Sequence, residues 1–110
     1  MTITSIHAGD AVVLRVAGRL DATMSPEFEK TWQECTNSEI RRFVVDLEGV
    51  DYISSAGLRA IVLAGKTVRA RGGVLRLSGA RGTVKDTLEI AGFCALFPVY
   101  DSMEAALEPR

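Results

Sequence analysis

Two adjacent serines, Ser54 and Ser55, are the residues of this 110-residue chain whose type and position best suit a chemical role. They follow an apolar, strand-like run and a turn, and a segment with helical spacing begins directly after them, so both hydroxyls are expected at the N-terminus of a helix. A serine there can cap the helix by accepting a backbone N–H, which stabilises the helix by about 1 kcal/mol. It can also attack a substrate, bind an anion or accept a phosphate. Capping needs only one hydroxyl, so the residues alone leave a cap and a phosphorylation switch open.

Three carboxylates, those of Asp46, Glu48 and Asp51, precede the serines and are predicted to lie in an acidic loop. They could in principle hold magnesium, but a hydrated, carboxylate-lined turn is the favoured interpretation. A phosphate on either serine would be tolerated by the helix N-terminus and repelled by these acids. The same local design therefore suits a cap and a switch.

The remaining reactive side chains do not support self-contained catalysis. His7 is the only histidine, which excludes a Ser-His-Asp triad and an HExxH zinc motif. The two cysteines, Cys35 and Cys94, lie in apolar contexts and are predicted to be free, buried thiols and not metal ligands or a disulfide framework. Neither a Walker A nor a GxGxxG motif occurs. We therefore predict a protein that is not an enzyme, with no catalytic residue, no metal site and no cofactor.

The composition indicates one globular domain, residues 1–110, without a nucleic-acid or membrane partner. Lys and Arg number 13 against 14 acids, so the basic face that nucleic-acid binders carry is not expected. The 47% apolar content suffices for a single core. The start of the chain does not resemble a secretory leader, and no apolar run approaches the roughly 20 residues of a membrane span. A cytoplasmic monomer is expected.

The spacing of apolar residues changes several times along the chain between the two-residue period of strands and the helical period. These changes predict the element order β-β-α-β-α-β-α-β-α. "TITSI" and "AVVLRVAG" are predicted to form a hairpin, and "SPEFEKTWQEC" a helix that Ser25 caps, with Phe28, Trp32 and Cys35 on its apolar face. Strands are then predicted at "RRFVVDL", "VLRLSG" and "LFPVY", and helices at Leu58 to "RGG", at "TVKDTLEIAG" and at "DSMEAAL", where Asp101 and Glu104 have capping-box spacing. Alternation after a hairpin predicts an α/β domain with a mixed, mostly parallel central sheet and about four helices.

The stretch from Val44 to Phe93 resembles the central part of a STAS domain, specifically that of bacterial anti-sigma factor antagonists. The similarity extends to the hairpin, to "GRLDATMSPEFE" and to "VYDSMEAAL", and so covers nearly the whole chain. Its most specific element is an apolar strand followed by Asp-Leu, a spacer and Ser-Ser-x-Gly-Leu, which here ends at Gly57 and Leu58. The resemblance implies the STAS fold.

The resemblance also implies a mechanism of partner switching. Members of the family bind an anti-sigma factor that is also a serine kinase with a GHKL-type ATPase fold. The unphosphorylated antagonist sequesters that kinase and frees the sigma factor for transcription. Phosphorylation of a loop serine or threonine breaks the complex, and a PP2C-type phosphatase restores it.

This chain departs from the commonest family motif, Asp-Ser-(Ser or Thr)-Gly-Leu, in which the accepting hydroxyl directly precedes the glycine. That position is Ala56 here, and Ser54 stands where the aspartate usually does. Ser55 is the preferred acceptor and Ser54 the alternative, while a variant that accepts no phosphate stays open.

A partner-binding surface is expected around the serines. Asp21 and Thr23 should lie at the same end of the sheet, because their strand is expected beside the one that ends near Asp46. The residues expected to contact the partner are Asp21, Thr23, Asp51, Ser54, Ser55, Gly57, Leu58 and Arg59. Two other functions stay open: a constitutive STAS docking module in a transport or signalling complex, and a sensor of a nucleotide or another small molecule.

Overall fold

A computed structural model describes residues 2–35 and 40–108, which form the predicted elements and one additional short helix. The strands are β1 (Thr2–Ala8), β2 (Ala11–Leu20), β3 (Arg42–Ile53), β4 (Val74–Ser78) and β5 (Val99–Tyr100). The helices are α1 (Ser25–Cys35), α2 (Ser55–Ala70), α3 (Gly82–Ile90), α4 (Phe93–Leu96) and α5 (Met103–Ala106). The addition is α4, which makes five helices in these residues where about four were expected. Met1, Pro109 and Arg110, at the ends of the predicted domain, lie outside the described residues.

The five strands form one sheet in the order β1-β2-β3-β4-β5. β1 pairs with β2 in antiparallel fashion, and every later neighbour is parallel, which confirms the predicted hairpin and the mostly parallel sheet. The strand order never reverses, so right-handed crossovers place the connecting helices on one face. The carboxyl ends of β2 to β5 meet at a single edge, where α2 begins.

Most of the core lies between that face and its helices. Val12, Leu14 and Val16 belong to the larger cluster with Phe28 and Trp32, as the strand and helix periods predicted. On the opposite face, the short helix α5 covers a smaller cluster of Val13, Val44 and Ala106. Within residues 2–35 and 40–108, no helix has both the length and the apolar content needed to cross a membrane.

The third strand is longer than predicted. β3 pairs with β2 as far as Ile53, so Asp46, Glu48 and Asp51 lie along a strand and the prediction of an acidic loop was wrong. Two register shifts insert extra residues of β3 opposite β2, as β-bulges do. Asp46 is buried, and its Oδ2 forms an ion pair with the Nε of Arg15 at 3.5 Å. No three histidine, cysteine or acidic side chains in the described part of the chain converge closely enough to hold a metal ion.

Two predicted cap residues were wrong, one by four positions and the other by one. Asp21 accepts the backbone N–H of Thr23 at 3.1 Å, whereas Ser25 only donates its hydroxyl to the Asp21 carbonyl at 2.8 Å. The helical turn before α1 thus begins four residues earlier than the Ser-Pro signal suggested. In α5 the cap is Ser102, which accepts the N–H of Ala105 at 3.2 Å.

Both thiols are less buried than predicted. Cys35 and Cys94 are free, but Cys94 is exposed, whereas Cys35 is half-buried against the core. Cys94 lies in α4, the helix that the sequence did not predict.

Two arginines anchor the short helix α5 to the sheet. Arg76 donates to the carbonyl of Ala106 at 2.9 Å, and Arg42 donates to the carbonyl of Leu107. Arg42 also lies 2.7 Å from Asp10, and its hydrogen bond lowers the pKa of that carboxyl. Such bonds satisfy carbonyls that a helix C-terminus leaves without intrahelical donors.

Candidate functional site

The two central strands end side by side where α2 begins. Leu20 and Ile53 are register partners, and the backbone N–H of Ser54 donates to the Leu20 carbonyl at 3.0 Å. The chain leaves β2 at Asp21 and leaves β3 at Ser54, so these two residues meet at the same edge. In open α/β sheets, ligands are generally bound at the edge formed by the carboxyl ends of the strands.

Ser54 is the N-cap of α2. Its backbone is extended, with φ −96° and ψ 174°, and its hydroxyl oxygen accepts the N–H of Gly57 at 3.2 Å. Its carbonyl accepts the N–H of Leu58 at 2.9 Å, which closes the first helical turn. The side chain is half-buried. The capping role that the sequence left open between two serines therefore falls to Ser54.

Ser55 is the first residue of α2, and its side chain is exposed. No other residue in ranges 2–35 and 40–108 hydrogen-bonds to its hydroxyl. Arg59 lies one turn further along the same face of the helix and is also exposed, without a carboxylate at ion-pair distance among the described residues. Ser55 thus offers a hydroxyl that the fold does not use, beside a cation.

Gly57 and Leu58 position the helix and are less exposed than Ser55 and Arg59. Gly57 is buried, and a Cβ there would collide with the carbonyl oxygen of Leu20 and lie 3.1 Å from Ile53. Leu58 is half-buried and packs on the core. Gly57 was expected to contact a partner, and in the structure it is buried, where its lack of a side chain allows the first turn of α2 to approach the end of β2.

The other predicted contact residues lie around this edge with different exposure. Thr23 and Asp51 are exposed, while Asp21 is half-buried and caps its own turn. The structure therefore leaves Thr23, Asp51, Ser55 and Arg59 exposed, whereas Asp21 and Ser54 are half-buried.

Comparison with known proteins identifies the family. The family model of the STAS domain matches residues 2–106. The chain belongs to the STAS domain family. This STAS domain is 48% identical over 106 residues to BtrV of Bordetella bronchiseptica, a protein provisionally named as an anti-sigma factor antagonist. The alignment covers 96% of the chain and 91% of BtrV.

Solved structures show the same fold in proteins of two kinds. An anti-sigma factor antagonist, provisionally so named, from Thermotoga maritima superposes on the STAS domain with a TM-score of 0.86 at 22% identity, covering 96% of this chain and 92% of the other. A sulfate transporter family protein from Wolinella succinogenes superposes with a TM-score of 0.79 at 19% identity, covering 93% and 85%. At these identities the likenesses show the fold alone.

Two surface residues of the STAS domain escaped the sequence analysis. The guanidinium of Arg19 lies 4.2 Å from the ring centroid of Tyr52, and its Nε lies 3.7 Å from the carboxylate of Asp21. The Tyr52 side chain is large and 41% exposed. Arg19 and Tyr52 are register partners across β2 and β3, and that pairing depends on bulges that the sequence does not reveal.

Proposed function

We propose that this STAS domain is an anti-sigma factor antagonist that works by partner switching. It binds an anti-sigma factor that is also a GHKL-type serine kinase while Ser55 is unphosphorylated, and releases it once Ser55 carries a phosphate. A PP2C-type phosphatase restores binding. The observation that carries the proposal is that the two serines have different roles. Ser54 caps α2, and the exposed Ser55 hydroxyl is not needed for the cap. The 48% sequence identity to BtrV over 106 residues supports the antagonist role.

A phosphate on Ser55 suits the fold. It would add about 1.5 to 2 negative charges at the first residue of a helix, where free N–H groups and the helix dipole favour an anion. Arg59 lies one turn away on the same face and is available to the phosphate. We therefore expect phosphorylation to leave the STAS domain folded and to act on the partner only.

The same phosphate opposes binding. A partner surface shaped for a neutral hydroxyl supplies no cation of its own, so binding would have to desolvate a dianion whose charge Arg59 neutralises only in part, which costs several kcal/mol. The exposed carboxylate of Asp51 adds like charge at this edge. The switch thus needs no conformational change in the antagonist.

The proposed contact surface, which we call the edge patch, extends around the carboxyl ends of β2 and β3. Tyrosine and arginine are enriched among the residues that dominate binding energy in protein interfaces, which adds Arg19 and Tyr52 to the predicted set. The edge patch consists of Arg19, Asp21, Thr23, Asp51, Tyr52, Ser54, Ser55 and Arg59.

Phosphorylation by the cognate kinase with ATP, followed by mass spectrometry of the Asp51 to Arg59 peptide, tests the acceptor. The wild type and Ser54→Ala are expected to gain one phosphate, and Ser55→Ala none. In thermal unfolding, Ser54→Ala is expected to be the less stable variant, because it loses the cap and with it about 1 kcal/mol of stability. Ser55→Ala should change the stability by less than about 0.5 kcal/mol. Phosphate on another residue, or none from a kinase shown to be active, would refute the assignment.

Charge reversal at Arg59 tests the position of the interface. Arg59→Glu is expected to weaken kinase binding about tenfold in titration calorimetry, because it replaces a positive charge of the proposed interface by a negative charge next to Ser55. The melting temperature should stay unchanged, since an exposed helical charge contributes little to stability.

Arg41→Glu and Lys85→Glu are the matched controls for Arg59. Arg41 is exposed at the amino end of β3, opposite the edge patch, and Lys85 lies in α3, 3.8 Å from Asp101. Both variants are expected to bind as the wild type does. Losses equal to that of Arg59→Glu would place the interface elsewhere.

A further inference from the structure

A small apolar groove lies at the opposite end of α2 from the serines. It runs between the second half of α2, the start of β4 and the segment after α4, and it encloses about 260 Å³. Its apolar walls are formed by Val62, Val74, Leu75, Leu96, Phe97 and Pro98. Small-molecule sites are typically apolar concavities of about 300–1,000 Å³ with a few polar groups. At about 260 Å³ this groove lies just below that range, so it suits only a small and slender ligand.

Packing fixes one wall of the groove. The Phe97 ring lies so close to Gly65 that a Cβ at that position would collide with it. The backbone N–H of Phe97 donates to the carbonyl of Phe93 at 2.8 Å, and the two rings lie 5.6 Å apart between centroids. The absence of a side chain at Gly65 therefore lets the Phe97 ring lie against α2 and form this wall, while the hydrogen bond to Phe93 holds the Phe97 backbone in place.

The mouth of the groove is positively charged. Lys66 and Arg69 are exposed, follow Val62 at helical spacing, and are the two charged members of the lining among the described residues. Neither has a carboxylate at ion-pair distance in the described part of the chain, and α2 contains no acidic residue.

Stabilisation of the helix C-terminus does not account for both cations. The last carbonyls of α2 already accept backbone N–H groups: that of Arg69 accepts Gly72, and that of Val68 accepts Gly73 at 3.0 Å. Arg71 supplies another positive charge at the same helix end without lining the groove. Lys66 and Arg69 therefore remain available to a ligand in the groove.

We propose that this groove binds a free acyl carboxylate of medium chain length. The alkyl chain lies against Val62, Leu75 and Phe97, and the carboxylate lies between Lys66 and Arg69. Apolar walls supply binding through burial, and the paired cations select a single anionic end. This site is independent of Ser55, which lies at the other end of the helix.

Titration of the full chain with decanoate, below its micelle concentration, tests the proposal by amide chemical shifts in NMR. Saturable shifts are expected in the Val62 to Arg69 stretch and at Leu96 and Phe97. Decylammonium has the same chain with the opposite charge and is expected to leave these amides unmoved. Comparable shifts with both compounds, or none with decanoate, would overturn the proposal.

Surface variants separate charge from shape. Lys66→Glu combined with Arg69→Glu should raise the dissociation constant for decanoate about tenfold or more, while Arg71→Glu on the same helix end should leave it within about twofold. Val62→Trp should fill the groove and abolish the shifts. Binding undiminished in the double variant refutes the site even if Val62→Trp fails to fold.

A polypeptide is the rival occupant. If an amphipathic peptide rich in Leu and Glu shifts these amides while decanoate does not, the groove docks a protein segment and the acyl-carboxylate proposal is wrong.

Discussion

Ser55→Asp is expected to weaken binding of the anti-sigma kinase by about a hundredfold or more, and Ser55→Ala by less than about threefold. Aspartate brings a charge to an exposed position that the proposed partner would cover, and desolvating a charge that the partner does not match costs several kcal/mol. Alanine removes a hydroxyl that has no role in the cap, because Ser54 performs that role. Titration calorimetry with the purified kinase measures both affinities.

Ser54→Asp is the matched control, since it adds the same charge one residue earlier. Aspartate is as good an N-cap as serine, so its carboxylate should accept the Gly57 N–H that Ser54 accepts at 3.2 Å. Aspartate is also the residue that the commonest family motif has there. Binding is expected to fall much less than in Ser55→Asp. Equal losses in the two variants would show that charge anywhere at this helix end is harmful and that Ser55 is not a specific switch.

The architecture followed from the sequence because strand and helix periods differ. Alternation in β2 separates Val12 and Leu14 from Val13, and the structure places them in the two different clusters. The helical spacing of α1 buries Phe28 and Trp32. Hydrophobic burial is the largest driving force in folding, so patterns that specify burial also specify element type and the covered face.

The extent of β3 could not be predicted in the same way. Its second half carries exposed polar residues such as Glu48 and Asp51, and their spacing is interrupted by bulges opposite β2. A bulge breaks the two-residue period, so a strand of this kind resembles a loop in the sequence. α4 was missed because four residues form barely one turn, too short for a helical period to show.

The candidate site was predicted in residue type but not in the division of roles. Both serines satisfy the sequence signals for a helix start, and only backbone geometry decides that Ser54 caps and Ser55 is exposed. The stacking of Arg19 on Tyr52 depends on cross-strand register, which is tertiary information. Sequence reasoning therefore proposed most residues of the edge patch and missed its aromatic member.

Gly57→Ala is expected to lower the free energy of unfolding by about 2–3 kcal/mol, with a fall of roughly 10 °C in melting temperature. Helix propensity alone predicts the opposite sign, because alanine is favoured over glycine in a helix by about 1 kcal/mol. The steric term dominates here, since the new Cβ would collide with the carbonyl oxygen of Leu20, a backbone atom at the end of β2. Denaturant unfolding monitored by circular dichroism measures the difference.

Gly65→Ala is the control for Gly57→Ala, because it makes the same substitution in the interior of the same helix. Its new Cβ would meet the outer atoms of the Phe97 ring, which can move by rotation of a side chain, so a loss of about 1 kcal/mol or less is expected. The Leu20 carbonyl can yield only if α2 moves away from β2, and that movement would displace Ser55 relative to Asp21. Gly57→Ala protein that remains folded should therefore also bind the kinase less well, whereas Gly65→Ala should bind normally. A Gly57→Ala variant as stable as the wild type would show that α2 does not begin against the end of β2, and the edge patch would lose the contact that holds it together.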